Sequence, residues 1–391
     1  MLPRRLKTGC FILEGLNSLA TVYYFYYFYF FMQTVFGFGN RANLMLAALN
    51  GAIYALMSWQ GGRFAQRFGY FTALKLGFIV MMGALAVGSQ LHSAGGQIVV
   101  MAVTVFGMCF TWPTLEALVS ESESRAGVQR MVGIYNMMWA GTAAVAYFSG
   151  GAMLEKFGPR SLFYVPVAIQ LTQLGLTFWL ESQARRTSQT TLASSSSSIP
   201  ETHPHPPALT RMFLRMAWLA NPFAYVAINT LIAVMPGVAK RLELSTMAAG
   251  FCCSVWCFAR LGSFFVLWRW NGWHYRFRWL LTAYAIMVLT FAAILMAPNL
   301  AMLVLAQIFF GCVAGLIYYS SLFYSMDLGD TKGEHGGIHE AAIGLGNFAG
   351  PAVGAASLYF IPQYANTGAL AVSALLLLGL GGLLAIWRNG T

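Results

Sequence analysis

The sequence predicts an all-α membrane protein of twelve transmembrane helices arranged as two pseudo-symmetric six-helix bundles. Three observations carry this. Of the 391 residues, 58% are hydrophobic and only 9% charged, against about a quarter charged in a soluble domain. The apolar residues come in repeated runs of roughly twenty, enough to cross about 30 Å of hydrocarbon. A Ser/Pro-rich stretch divides these runs six and six.

The runs cover residues 10–32, 41–60, 71–91, 97–119, 131–153 and 161–181, then 212–235, 247–268, 279–297, 300–325, 338–360 and 367–387. They are continuously apolar and do not alternate over about ten residues, so they read as helices and not as barrel strands. The first run follows Arg4, Arg5 and Lys7 but continues to Met32 without a small-residue cleavage site, so it reads as a helix and not a signal peptide.

A net charge of +11 raises the question of a nucleic-acid partner, which the placement of the charges answers. Alternating the twelve spans puts seventeen of the 23 Lys and Arg on the side of both chain ends and five on the other, with Arg260 inside a span. The positive-inside rule accounts for that asymmetry, so both termini are expected in the cytoplasm and no nucleic acid is expected. Short loops suit a bacterial inner membrane. Cys10, Cys109, Cys252, Cys253, Cys257 and Cys312 lie in or beside spans without a CxxC pair. They read as buried apolar thiols, and no metal or cofactor is expected.

Residues 183–210 hold five consecutive serines, Ser194 to Ser198, and four prolines from Pro200 to Pro207. This reads as a flexible cytoplasmic linker between residues 1–182 and 211–391, with His203 and His205 as solvated linker residues. A shift of 209 residues pairs Gly141 with Gly350 and Ile134 with Ile343, and a shift of 200 pairs Gly62 with Gly262. Two homologous halves follow from these matches.

After span 2 comes Gly62-Arg63-Phe64-Ala65-Gln66-Arg67-Phe68-Gly69. It resembles the inter-helix loop signature of the major facilitator superfamily, a Gly, three variable residues, Asp, a basic residue, one variable residue and Gly. Gln66 stands where the family has Asp, and Tyr70 where it usually has Arg. In the family that Asp is implied to lock the inner gate by charge, so a lock around Gly62, Gln66, Arg67 and Gly69 must use neutral hydrogen bonds or other residues. The resemblance implies a secondary transporter with parallel halves, binding its solute near the midplane. Spans 5 and 11 are rich in small residues: Gly133, Gly141, Gly150 and Gly151 in one, and Gly344, Gly346, Gly350, Pro351 and Gly354 in the other. They read as close helix packing. The Gly-Pro of proton-coupled drug exporters is absent from span 5 and occurs in span 11.

Ionisable residues inside spans are costly, and each is a functional candidate. Six qualify: Glu14, Glu116, Arg130, Arg260, His339 and Glu340. All fall in the half of the membrane nearer the chain ends, which fits a shared gating role. The plainer alternative is a pair of salt bridges, Glu116 with Arg130 and Arg260 with Glu340. Glu14 is followed by Asn17, Ser18 and Thr21 at helical spacing, a polar stripe that should face a cavity. In the family the first helix lines the central pathway, so the resemblance implies solute or proton contact for Glu14 and Asn17.

Nine consecutive aromatics, Tyr23 to Phe31, cover every face of span 1. The stripe continues through Phe25 and Phe28, with Tyr24 close by, as candidates to stack on a ring-bearing ligand. Packing and an interfacial belt are the alternative for each. Tyr225 with Asn229, Tyr319 with Phe323, and Asn136 with Trp139 are further candidates for the binding site, or for polar contacts between helices.

The expected function is secondary transport of a small organic solute, with protons as candidate coupling ion and the lipid bilayer as surroundings. No nucleotide-binding loop occurs. Efflux of drugs or lipophilic compounds is the alternative within the fold. A membrane enzyme using His335, His339 and Glu340 lacks HExxH or a paired-Asp motif, and a non-transporting receptor would have little reason to retain Glu14.

Overall fold

A computed structural model describes residues 4–120, 125–190, 207–327, 333–364 and 366–390. Fourteen helical segments run α1 (Arg4–Phe36), α2 (Asn40–Phe68), α3 (Tyr70–Gly88), α4 (Ala94–Met108), α5 (Trp112–Ser120), α6 (Arg125–Phe157) and α7 (Ser161–Thr190), then α8 (Pro207–Arg241), α9 (Thr246–Cys253), α10 (Val255–Arg269), α11 (Phe277–Leu295), α12 (Leu300–Asp327), α13 (Gly333–Phe360) and α14 (Thr367–Gly390). Paired as α4 with α5 and α9 with α10, they make the twelve expected spans. Ten spans among the described residues are long and apolar enough to cross a membrane, and α1 and α6, 33 residues each, complete the set. At 1.5 Å per residue those two run to about 50 Å, longer than the hydrocarbon is thick.

Span 4 breaks for a local reason. Pro113 has no N–H to offer the carbonyl of Cys109, and its ring crowds that turn. The chain tightens instead, Phe110 N–H donating to Gly107 and Thr111 N–H to Met108, before α5 restarts with Leu115 N–H on the Thr111 carbonyl. The break turns Met108 and Trp112 toward the centre of the protein and leaves α5 to carry Glu116.

Several expected boundaries move. The segment Gly62 to Phe68 is not a loop: α2 continues through it, and only Gly69 leaves the helix, at φ +94° in the region that favours glycine. There Arg63 lies over the Trp59 ring and Arg67 over Phe68, while Gln66 is exposed. The expected linker 183–210 is helical at both ends, α7 reaching Thr190 and α8 starting at Pro207. Residues 191–206, with His203 and His205, lie outside the described residues, as does the side chain of His335.

Within the first bundle α1 packs on α6 and α7, and α3 on α4 and α7; within the second α8 packs on α12, α13 and α14, and α10 on α12. The bundles meet along two seams, α2 against α13 and α6 against α9 and α10. Backbones touch in the first seam: a Cβ on Gly344 would stand 2.5 Å from the Ala55 nitrogen, so no side chain fits there. The second seam is tied far from the chain ends, where Met247 N–H donates to Glu155 at 2.9 Å. Nearer the chain ends, Gly133 packs against the Trp268 indole.

Candidate functional site

Where the seams diverge at mid-depth, the bundles flank a cavity of about 150 Å³. Eight of the twelve spans line it. The first bundle contributes Thr21, Val22, Phe25 and Tyr26 from α1, Asn50 and Tyr54 from α2, Met108 and Trp112 from either side of the span 4 break, and Tyr135 and Trp139 from α6. The second contributes Tyr225, Ile228, Asn229 and Ile232 from α8, Arg260 from α10, Tyr318 from α12, and Glu340, Ile343 and Asn347 from α13. The wall is therefore mainly apolar, with eight aromatic residues among its nineteen and six polar or charged ones, the composition of a site for a small organic ligand.

On one side Arg260 is 3% exposed, its guanidinium carbon 4.6 Å from the Trp139 ring centre and 4.7 Å from that of Trp256. Trp139 is fixed in turn: its indole N–H donates to Asn136 at 3.0 Å, and Ser18 donates to its carbonyl at 2.8 Å. Tyr318 meets Trp139 edge-on at 5.4 Å. Opposite polar contacts hold the other wall, with Asn229 donating to Asn347.

Toward the chain ends lies a buried acidic group. The Tyr54 hydroxyl donates to Oε2 of Glu340 at 2.6 Å, joining α2 to α13 across the bundles. Glu116, His339 and Glu340 bring one ligand atom each to within 4.8 Å of one another. Such a set of two carboxyls and an imidazole could receive a cation, an arrangement not expected from the sequence. His339 faces Asn221 through Nε2 at 3.3 Å and Glu340 through Nδ1 at 4.0 Å. Glu14 is fully buried beside Tyr135, and among the described residues no donor meets either carboxyl oxygen in full hydrogen-bond geometry.

The sequence candidates divide accordingly. Thr21, Phe25, Tyr225, Asn229, Trp139, Arg260 and Glu340 line the cavity. Glu14, Asn17 and Ser18 continue their stripe below it, all fully buried, and Thr21 donates to the Asn17 carbonyl at 2.6 Å. Phe28 is not on the wall: it packs against Tyr24 and Phe31. Tyr319 and Phe323 surround Trp273, with centroids at 6.0 and 5.2 Å, and their place is taken by Tyr318. Neither suggested salt bridge exists among the described residues: Arg130 is exposed, and Arg260 stacks on tryptophans while Glu340 takes the Tyr54 hydroxyl. The residues missed, Tyr26, Asn50, Tyr54, Trp112, Tyr135, Tyr318 and Asn347, include two asparagines inside spans, whose polarity was a usable signal.

Known structures share this architecture. A peptide transporter of the POT family in an auto-inhibited form superposes with a TM-score of 0.72 at 13% identity, over 98% of this chain and 97% of its own. A mutant of the nucleoside transporter NupG gives 0.67 at 12%, over 98% of each chain. The human organic anion transporter MFSD10 gives 0.66 at 14%, over 98% of this chain and all of its own. At these identities the likeness is one of fold. No curated protein matches by sequence. The sequence profile of the Major Facilitator Superfamily matches residues 10–351, most of the chain, and the chain belongs to that superfamily.

Proposed function

We propose that this protein carries a small organic solute across the membrane by alternating access, with the solute held in the central cavity and the two halves, residues 1–182 and 211–391, moving against each other. The observation that supports this most is the cavity itself: residues of both bundles build its wall, and the bundles meet beside it along the α2–α13 seam and the seam of α6 with α9 and α10. A solute seated there is contacted by both moving parts, as the mechanism requires. The similar structures are named as transporters of nucleosides, peptides and organic anions, all organic solutes.

Protons are the proposed coupling ion and Glu14 the proposed proton site. It is buried on the pathway helix α1 with no basic partner at ion-pair distance among the described residues, and a carboxyl that gains and loses a proton supplies the chemistry of coupling. The excess of Lys and Arg beside both chain ends supports an orientation with that side in the cytoplasm, and short loops support a bacterial inner membrane. Transport is tested in proteoliposomes with an imposed proton gradient, using solutes that raise the unfolding temperature of the purified protein. Concentrative uptake that collapses with an ionophore is expected. Solute binding without any movement across the bilayer refutes the reading.

A further inference from the structure

Among the described residues, Arg260 is a cation with no acid at ion-pair distance. It lines the cavity, is 97% buried, and lies between the rings of Trp139 and Trp256. Aromatic faces attract a guanidinium and hold its plane, but they leave its edge, where the N–H donors are, unanswered. Nε is buried without an acceptor. Among the described residues no carboxylate comes within ion-pair distance, and the acid nearest in the cavity wall, Glu340, turns Oε2 to Tyr54. The Tyr26 hydroxyl lies beside the guanidinium but is a single, neutral group. A buried charged donor left unpaired is strongly unfavourable. The open side of this one is the solute space.

We propose that Arg260 binds a carboxylate and that the solute is an organic monocarboxylate with a flat, apolar body. This inference rests on the transport reading and names its solute class. A carboxylate matches the guanidinium fork with two parallel hydrogen bonds. The flat body follows from the wall that faces Arg260, where Phe25, Tyr26, Trp112, Tyr225 and Tyr318 present rings. A limit to one negative charge follows from the lining, in which Arg260 is the one cation and the acid Glu340 borders the same cavity. A second carboxylate or a doubly charged phosphate would meet Glu340 with no further cation to balance it.

The test titrates purified protein with benzoate and cinnamate, and with their neutral isosteres benzamide and cinnamamide, reading unfolding temperature and calorimetric Kd. The acids are expected to bind about 10- to 100-fold more tightly than the amides. Arg260→Gln should abolish that preference, and Arg260→Lys, which keeps the charge but not the fork, should retain part of it. Because the acid-to-amide comparison is made on the wild type, it stands even where Arg260→Gln does not fold. Amides binding as tightly as acids, or no binding by either class, overturns the proposal. Uptake of the same pairs separates this from the transport reading. An acid that binds through Arg260 but is not carried refutes transport and leaves the carboxylate site standing, whereas uptake of neutral solutes alone does the reverse.

Discussion

Replacing Tyr54 by Phe removes one hydroxyl and leaves the ring, so the loss can be assigned to one bond. That bond runs from α2 to Glu340 on α13 at 2.6 Å, between residues 3% and 7% exposed. It ties the bundles on the chain-end side of the cavity, so it exists only while that side is shut. Its removal costs about 1 kcal/mol if the pair is neutral and up to about 3 kcal/mol if it is charge-assisted. A two-state equilibrium then shifts by about fivefold to about a hundredfold toward opening on the chain-end side. The assay is a spin-label distance distribution between positions 67 and 269, both exposed near that face in different bundles, on a background with the six cysteines replaced. A distribution unchanged in Tyr54→Phe would refute the claim that this contact holds the gate.

Other substitutions probe separate parts of the account. Glu14→Gln should abolish gradient-driven uptake while counterflow exchange of labelled for unlabelled solute persists; gradient-driven uptake at the wild-type rate would remove Glu14 from the coupling path. Gly344→Val forces atoms into the Ala55 backbone and should destabilise by about 1–3 kcal/mol, lowering the unfolding temperature. Gly262→Ala, where a Cβ meets nothing within 4 Å, should change stability by less than about 0.5 kcal/mol. Phe28→Ala, at a fully buried position off the cavity, should cost about 3–5 kcal/mol of stability. Phe25→Ala should weaken solute binding by calorimetry, and the reverse ranking of these two phenylalanines would contradict the placement of the wall.

The span count was legible because a membrane imposes a length on every apolar run. Helix ends were less legible. Outside the hydrocarbon nothing in hydropathy separates helix from loop, so α2 carries on through Gln60 to Phe68 among polar residues. The span 4 break was written in Pro113, but a proline inside an apolar run also fits a continuous kinked helix, as Pro222 and Pro236 do within α8. At the site, polar spacing fixed the phase of α1 down to Thr21 and Phe25. Beyond them every residue is aromatic and the phase is lost, which is how Phe28 was selected and Tyr26 passed over. In α12 Tyr318 and Tyr319 are adjacent and chemically alike, and about 100° of helix rotation separates wall from packing. Only the neighbours Trp139 and Trp273 decide between them. Arg260 and Glu340 stood out as buried charges, but their partners lie on other spans and could not be read from one chain order.

The most direct test of the central claim is counterflow in proteoliposomes, using a labelled solute that stabilises the purified protein, with wild type beside Asn229→Ala and Tyr225→Ala. Alternating access through the cavity predicts rapid accumulation of label by the wild type and a marked loss in both variants. Label entering no faster than into protein-free liposomes, or equally fast with both cavity residues removed, would contradict it.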